Sequence, residues 1–175
     1  MPGNDDHLDR IIAEWGRERP DLDTRALALV GRLLRVAHMA DRALGKGVAK
    51  YDLQNGWFDL LAALRRAGTP YELNPTRLMS ATMLSSGGTT KRLDHLAEAG
   101  LIERRPDPTD RRGVLVRLTR KGKAIIDRAI NDHVANEEHL LRSLTQRQRN
   151  TLDELLRKLL ADLETTRSPM SGDHQ

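Results

Sequence analysis

The stretch from Leu101 to Gly122, LIERRPDPTDRRGVLVRLTRKG, decides how the rest of the chain is read. Leu101-Ile102-Glu103-Arg104-Arg105 and Gly113-Val114-Leu115-Val116-Arg117-Leu118 are two short strand patterns, the second placing Val114, Val116 and Leu118 on one face. Pro106-Asp107-Pro108-Thr109-Asp110-Arg111-Arg112 between them is turn-rich and charged, so the stretch predicts a hairpin with a basic tip. Thr119 then stands as the N-cap of a long helix through Ala124, Ile125, Ile126, Ala129, Ile130, Val134 and Leu140.

Immediately upstream lie two short helical signals. Asn74-Pro75 opens a helix over 76–82, with asparagine as cap and proline at the first helical position. Ser85 or Ser86 caps a second, which runs to Ala99 and ends at Gly100. Two short helices joined this tightly predict a helix-turn-helix, whose second helix can enter a major groove. Further out, Leu8, Ile11, Ile12 and Trp15 mark an amphipathic helix from Asp6 to Arg19. A longer one starts at Leu22, continues through Leu29, Val30, Leu33, Ala37, Ala40 and Leu44, and is expected to end at Gly45 and Gly47. Leu53 to Ala67 is a third, stopped by Gly68-Thr69-Pro70. Near the end, Leu152, Leu156, Leu159 and Leu163 follow each other at four and three residues, a coiled-coil-like seam on a helix from Thr145. The tail SPMSGDHQ is expected to fray.

Composition narrows the function classes. The 175 residues are 38% hydrophobic, 31% charged and 3% aromatic, which favours amphipathic helices over a thick α/β core. With no cysteine, disulfides, thiolate zinc sites, cysteine nucleophiles and protein-thiol switches are excluded. No apolar run approaches a membrane span and the start MPGNDDHLDR lacks the regions of a signal peptide, so a cytoplasmic protein is expected. Net charge is only +4, but residues 85–123 hold ten Lys/Arg against five Asp/Glu, and the remainder nineteen against twenty. The entire excess sits in one stretch, the distribution expected of a surface that meets phosphates. No Gly-x-Ser-x-Gly elbow, P-loop or His-Glu-x-x-His is present, so no enzyme and no cofactor are expected. His133, Glu137 and His139 form a cluster of the kind a metal-sensing regulator carries; a solvated helix face is the other reading, since a stable site needs a further ligand.

The order helix, tight turn, helix, charged hairpin, long helix is that of a winged helix-turn-helix. Leu101 to Gly122 resembles the wing of the MarR (multiple antibiotic resistance regulator) family, and Ser86-Gly-Gly-Thr-Thr-Lys-Arg-Leu-Asp-His-Leu96 resembles its recognition helix, within a likeness covering roughly 25–163. The resemblance implies a mainly α fold with a small β-hairpin: N-terminal helices over 6–49, a DNA-binding domain over 50–120, C-terminal helices over 121–165 and a disordered tail over 166–175. The terminal helices are expected to interlock with a second subunit, so that two reading heads meet a palindromic operator. Intrachain packing of the same stripes is the alternative.

The residues expected on DNA are Ser86, Gly88, Thr89, Thr90, Lys91 and Arg92 of the helix and Asp110, Arg111 and Arg112 of the wing. Polar side chains early in the helix can reach base edges and phosphates, and wing arginines suit a narrow, negative minor groove. Asp107 and Asp110 are placed to orient those guanidiniums. The opening Trp15 to Asp23 is similar to that of the family's urate-responsive branch. That likeness implies Trp15, Asp59, Arg92 and Arg104 as contacts for urate or a similar anion: an indole for a planar ring, two guanidiniums for anionic oxygen, a carboxylate for ring N–H groups. The implied function is a repressor released by a small anionic or aromatic ligand. Alternatives are a regulator without an effector, a metal-responsive one, and Trp15 as core with both arginines on phosphates.

Overall fold

A computed structural model describes residues 5–82, 88–110 and 113–166. Each helix forms where its apolar period and end signals coincide. In α1 (His7–Glu18), Asp6 accepts from the N–H groups of Leu8 and Asp9 while Asp9 accepts from the N–H of Asp6, a reciprocal capping box. Leu8 of α1 is buried against α2 (Arg25–Ala49), and a Cβ on Gly31 would fall 2.6 Å from it. Arg32 of α2 pairs with Asp6 and Asp9, so part of the α1 stripe is covered by its own chain.

Gly45 and Gly47 do not end α2, contrary to expectation; the helix continues to Ala49. A glycine inside a helix costs about 1 kcal/mol, which packing offsets here. Val48 is 1% exposed, and a Cβ at Gly47 would meet Asn136 Nδ2 at 2.2 Å, so the glycine admits a close neighbour.

The helices α3 (Asn55–Arg66), α4 (Pro75–Ser80) and α5 (Thr89–Glu98) enclose the core with a three-stranded antiparallel sheet. Asn74 caps α4 as expected, its side chain accepting from the Arg77 N–H at 2.8 Å. The sheet holds the two expected strands, Ile102–Pro106 and Val114–Leu118, and one that sequence missed, Glu72–Leu73. In chain order these are β1 (Glu72–Leu73), β2 (Ile102–Pro106) and β3 (Val114–Leu118), arranged β1-β3-β2 with Arg104 opposite Val116. Two residues give no alternation, which leaves β1 without a period-2 signal. Leu60, Leu61, Leu64, Leu78, Leu96, Val116 and Ile126 are fully enclosed. Ile126 belongs to α6 (Arg120–Leu140), capped by the Thr119 hydroxyl accepting from the Gly122 N–H at 3.0 Å.

A first compact unit runs Met1–Asn136 and a second Glu137–Gln175, so the boundary falls inside α6. In the second unit, α7 (Gln146–Thr166) begins at a Thr145–Gln148 capping box and buries none of its residues. Among the described residues no helix is long and apolar enough to cross a membrane.

Candidate nucleic-acid interface

The second helix of the motif starts later than the serines suggested. Its cap is Gly88 at φ +84°, a left-handed conformation that glycine adopts without Cβ strain, and the first helical residue is Thr89. Leu93 and Leu96, 4% and 0% exposed, fasten α5 to the core. This leaves Thr90 and Lys91 outward, where they can reach a groove. Thr89, expected beside them, is buried instead. Arg92 is half-buried and lies across the start of α3: a Cβ on Gly56 would come within 2.9 Å of its Nε. Ser86, Arg111 and Arg112 lie outside the described residues.

The wing is tied to α5. Arg104 on β2 donates from its guanidinium to Asp94 on α5 at 2.6 Å, an ion pair between the two elements expected to touch DNA. Sequence reasoning missed Asp94, because a helix-to-strand pairing ten residues apart has no periodic signature. At the wing end, the Asp107 N–H donates to the Gly113 carbonyl and the Gly113 N–H to the Asp110 carbonyl, at 3.0 and 2.8 Å. The Asp107 carboxylate is engaged by the hydroxyl and N–H of Thr109, which hold it below the usual carboxylate range. Asp110 is exposed.

The four residues of the implied ligand set are distributed over four elements. Trp15 is 41% exposed on α1. Asp59 is half-buried on α3, the helix whose Gly56 carries Arg92 one turn earlier. Burial pushes the Asp59 carboxyl above its ordinary range, partly countered by the nearby His133 and Arg66 charges. His133, read from the sequence only as part of a cluster with Glu137 and His139, instead stacks on Phe58 with ring centroids 4.3 Å apart and acts on Asp59. Arg104 is committed to Asp94. Among the described residues no group of three or more His, Cys, Asp and Glu is arranged to hold a metal; His133 lies in the first unit, Glu137 and His139 in the second.

A recognition helix set on an apolar core and a wing ion-paired to it have the layout of a winged helix-turn-helix DNA-binding protein. The model of the MarR family matches residues 51–113. The regulator PecS of Dickeya dadantii is 40% identical over 157 residues, covering 90% of this chain and 95% of PecS. The chain belongs to the MarR family. A crystal structure of a C80S mutant of Escherichia coli MarR complexed with operator DNA is similar at a TM-score of 0.69 and 32% identity, covering 78% of this chain and 97% of that one. A structure of Bordetella bronchiseptica BpsR, described as regulated in its DNA binding by 6-hydroxynicotinic acid, is similar at 0.66 and 26%, covering 74% and 91%.

Proposed function

We propose that the chain acts as a homodimeric repressor whose hold on a palindromic operator is released by a small planar organic anion such as urate. The observation that carries the DNA half is the Asp94–Arg104 pair, which makes the recognition helix and wing one reading head. Thr90 and Lys91 of α5 face the bases and phosphates, and Arg111 and Arg112 enter the minor groove. Exposed apolar side chains supply the dimer surface: Leu29, Leu34 and Val36 on α2 and Leu155, Leu160 and Leu163 on α7 are each more than half exposed in the single chain. MarR bound to operator DNA supports the reading of the groove-facing elements.

For the ligand half, Arg92 and Arg104 sit on the two DNA-facing elements and Asp59 on the helix beneath Arg92. An anion drawing on both guanidiniums competes with Asp94 for Arg104 and so biases the geometry of the reading head. BpsR, with its hydroxynicotinic acid, is a related protein answering to a planar anion. The test is a mobility-shift titration on the chain's own upstream intergenic DNA with and without urate. Urate should weaken binding, and Asp59→Asn should blunt the response while keeping affinity for DNA. An unchanged operator curve and unquenched tryptophan fluorescence contradict the ligand half; an absence of any retarded complex contradicts the DNA half.

A further inference from the structure

Between β1, the start of α4 and the wing lies a cleft of about 430 Å³, within the size range of small-molecule sites. It shares no lining residue with Trp15, Asp59, Arg92 or Arg104. Pro70, Leu73, Pro108 and Leu115 give it apolar walls, and Glu72, Arg77 and Asp107 give it charge. Two acids and one base make this lining net −1, against the excess of ten basic over five acidic residues across 85–123.

The three charges differ in what already satisfies them. Asp107 accepts from Thr109 at 2.7 and 2.8 Å, hydrogen bonds that keep it ionised without neutralising it. Glu72 stands 4.0 Å from the Arg117 Nε, at the limit of an ion pair. The Arg77 guanidinium, exposed on α4, makes no hydrogen bond or ion pair among the described residues. A purely anionic guest meets two carboxylates, and a purely cationic one meets the guanidinium. A zwitterion with an apolar body matches all three charges and the walls together.

We propose that this cleft binds an α-amino acid with an apolar side chain. Its carboxylate takes the Arg77 fork, its ammonium turns toward Glu72 and Asp107, and its side chain lies against the prolines and leucines. The site joins the wing to the first helix of the reading motif, independently of the ligand set described above.

The test is an amide-resolved NMR titration of the full chain with L-phenylalanine, beside phenylpropionate and phenethylamine, which carry only one of its two charges. Saturable shifts are expected at Leu73, Thr109 and Leu115, with each analogue binding about tenfold more weakly for want of one charge-assisted contact. Arg77→Gln should weaken phenylalanine by a similar factor, and Glu72→Gln should reduce its advantage over phenylpropionate, Asp107 still facing the ammonium, with the remaining spectrum confirming that both variants fold. No saturable shift at these amides, equal binding of either analogue, or full affinity in Arg77→Gln overturns the proposal.

Discussion

Gly122 packs so closely on the wing that a Cβ there would fall 1.9 Å from the Leu101 carbonyl oxygen. Backbone cannot step aside as a flexible side chain can, so Gly122→Ala should destabilise the fold by about 1–3 kcal/mol. Chemical denaturation should show a lower midpoint at an unchanged slope. The sequence placed Gly122 at the end of the stretch resembling the wing but did not show why a glycine is needed there, since the contact joins residues that only the fold brings together. Charge at Asp127 yields a second prediction. Arg65 and Lys123 each approach its carboxylate at 2.6 Å and hold it below the ordinary carboxylate range, as Arg32 holds Asp6 down to about 2. Such groups bind protons more readily unfolded than folded, so stability is full above the unfolded pKa of about 4 and is lost as pH falls through the folded value. Asp127→Asn should therefore lower stability at neutral pH and flatten the acid limb of a pH series; an unchanged limb contradicts the pairing. Asp59 runs the other way: its raised pKa means that ionisation, completed as pH climbs past the folded value, subtracts from stability.

At the scale of elements, α1, α4, α6 and α7 follow their sequence signals to within a residue or two, because capping box, asparagine cap and threonine cap are all local. The failures have two physical reasons. The continuation of α2 through two glycines and the strand β1 depend on tertiary partners rather than on neighbours in the chain, while α5 begins after Gly88 because that glycine, and not a serine, takes the left-handed cap conformation. The candidate site was legible as residue types but not as pairings: Arg104 was visible, its tie to Asp94 was not. Two predictions belong here. Arg112→Ala in the wing should weaken DNA binding and lower the log–log salt slope by about 0.9, one phosphate neutralisation, whereas Lys91→Ala or Thr90→Ala should alter discrimination between operators. An Arg112→Ala protein with the parent's slope across a salt series removes the wing from the account.

For the whole molecule, the unit Glu137–Gln175 carries a helix that buries nothing of itself, with Leu152, Leu155, Leu159, Leu160 and Leu163 all exposed. Truncation before Thr145 removes this surface, so the shortened chain should scatter light as a monomer and bind a palindrome far more weakly, having lost the effective concentration of its second head. If ligand and operator favour different states, each must lower the other's affinity by one common factor, a coupling of typically about 1–3 kcal/mol. Two copies of this chain are expected to read one duplex through paired helices and wings. A fluorescence-anisotropy titration of the labelled upstream intergenic duplex, run across a salt series beside a scrambled duplex, measures stoichiometry, salt slope and specificity together. Two chains per site, an affinity falling linearly with salt on logarithmic axes, and a loss of roughly a thousandfold or more on the scrambled sequence are expected. Equal affinity for both duplexes, or one chain per site at full affinity, would contradict that expectation.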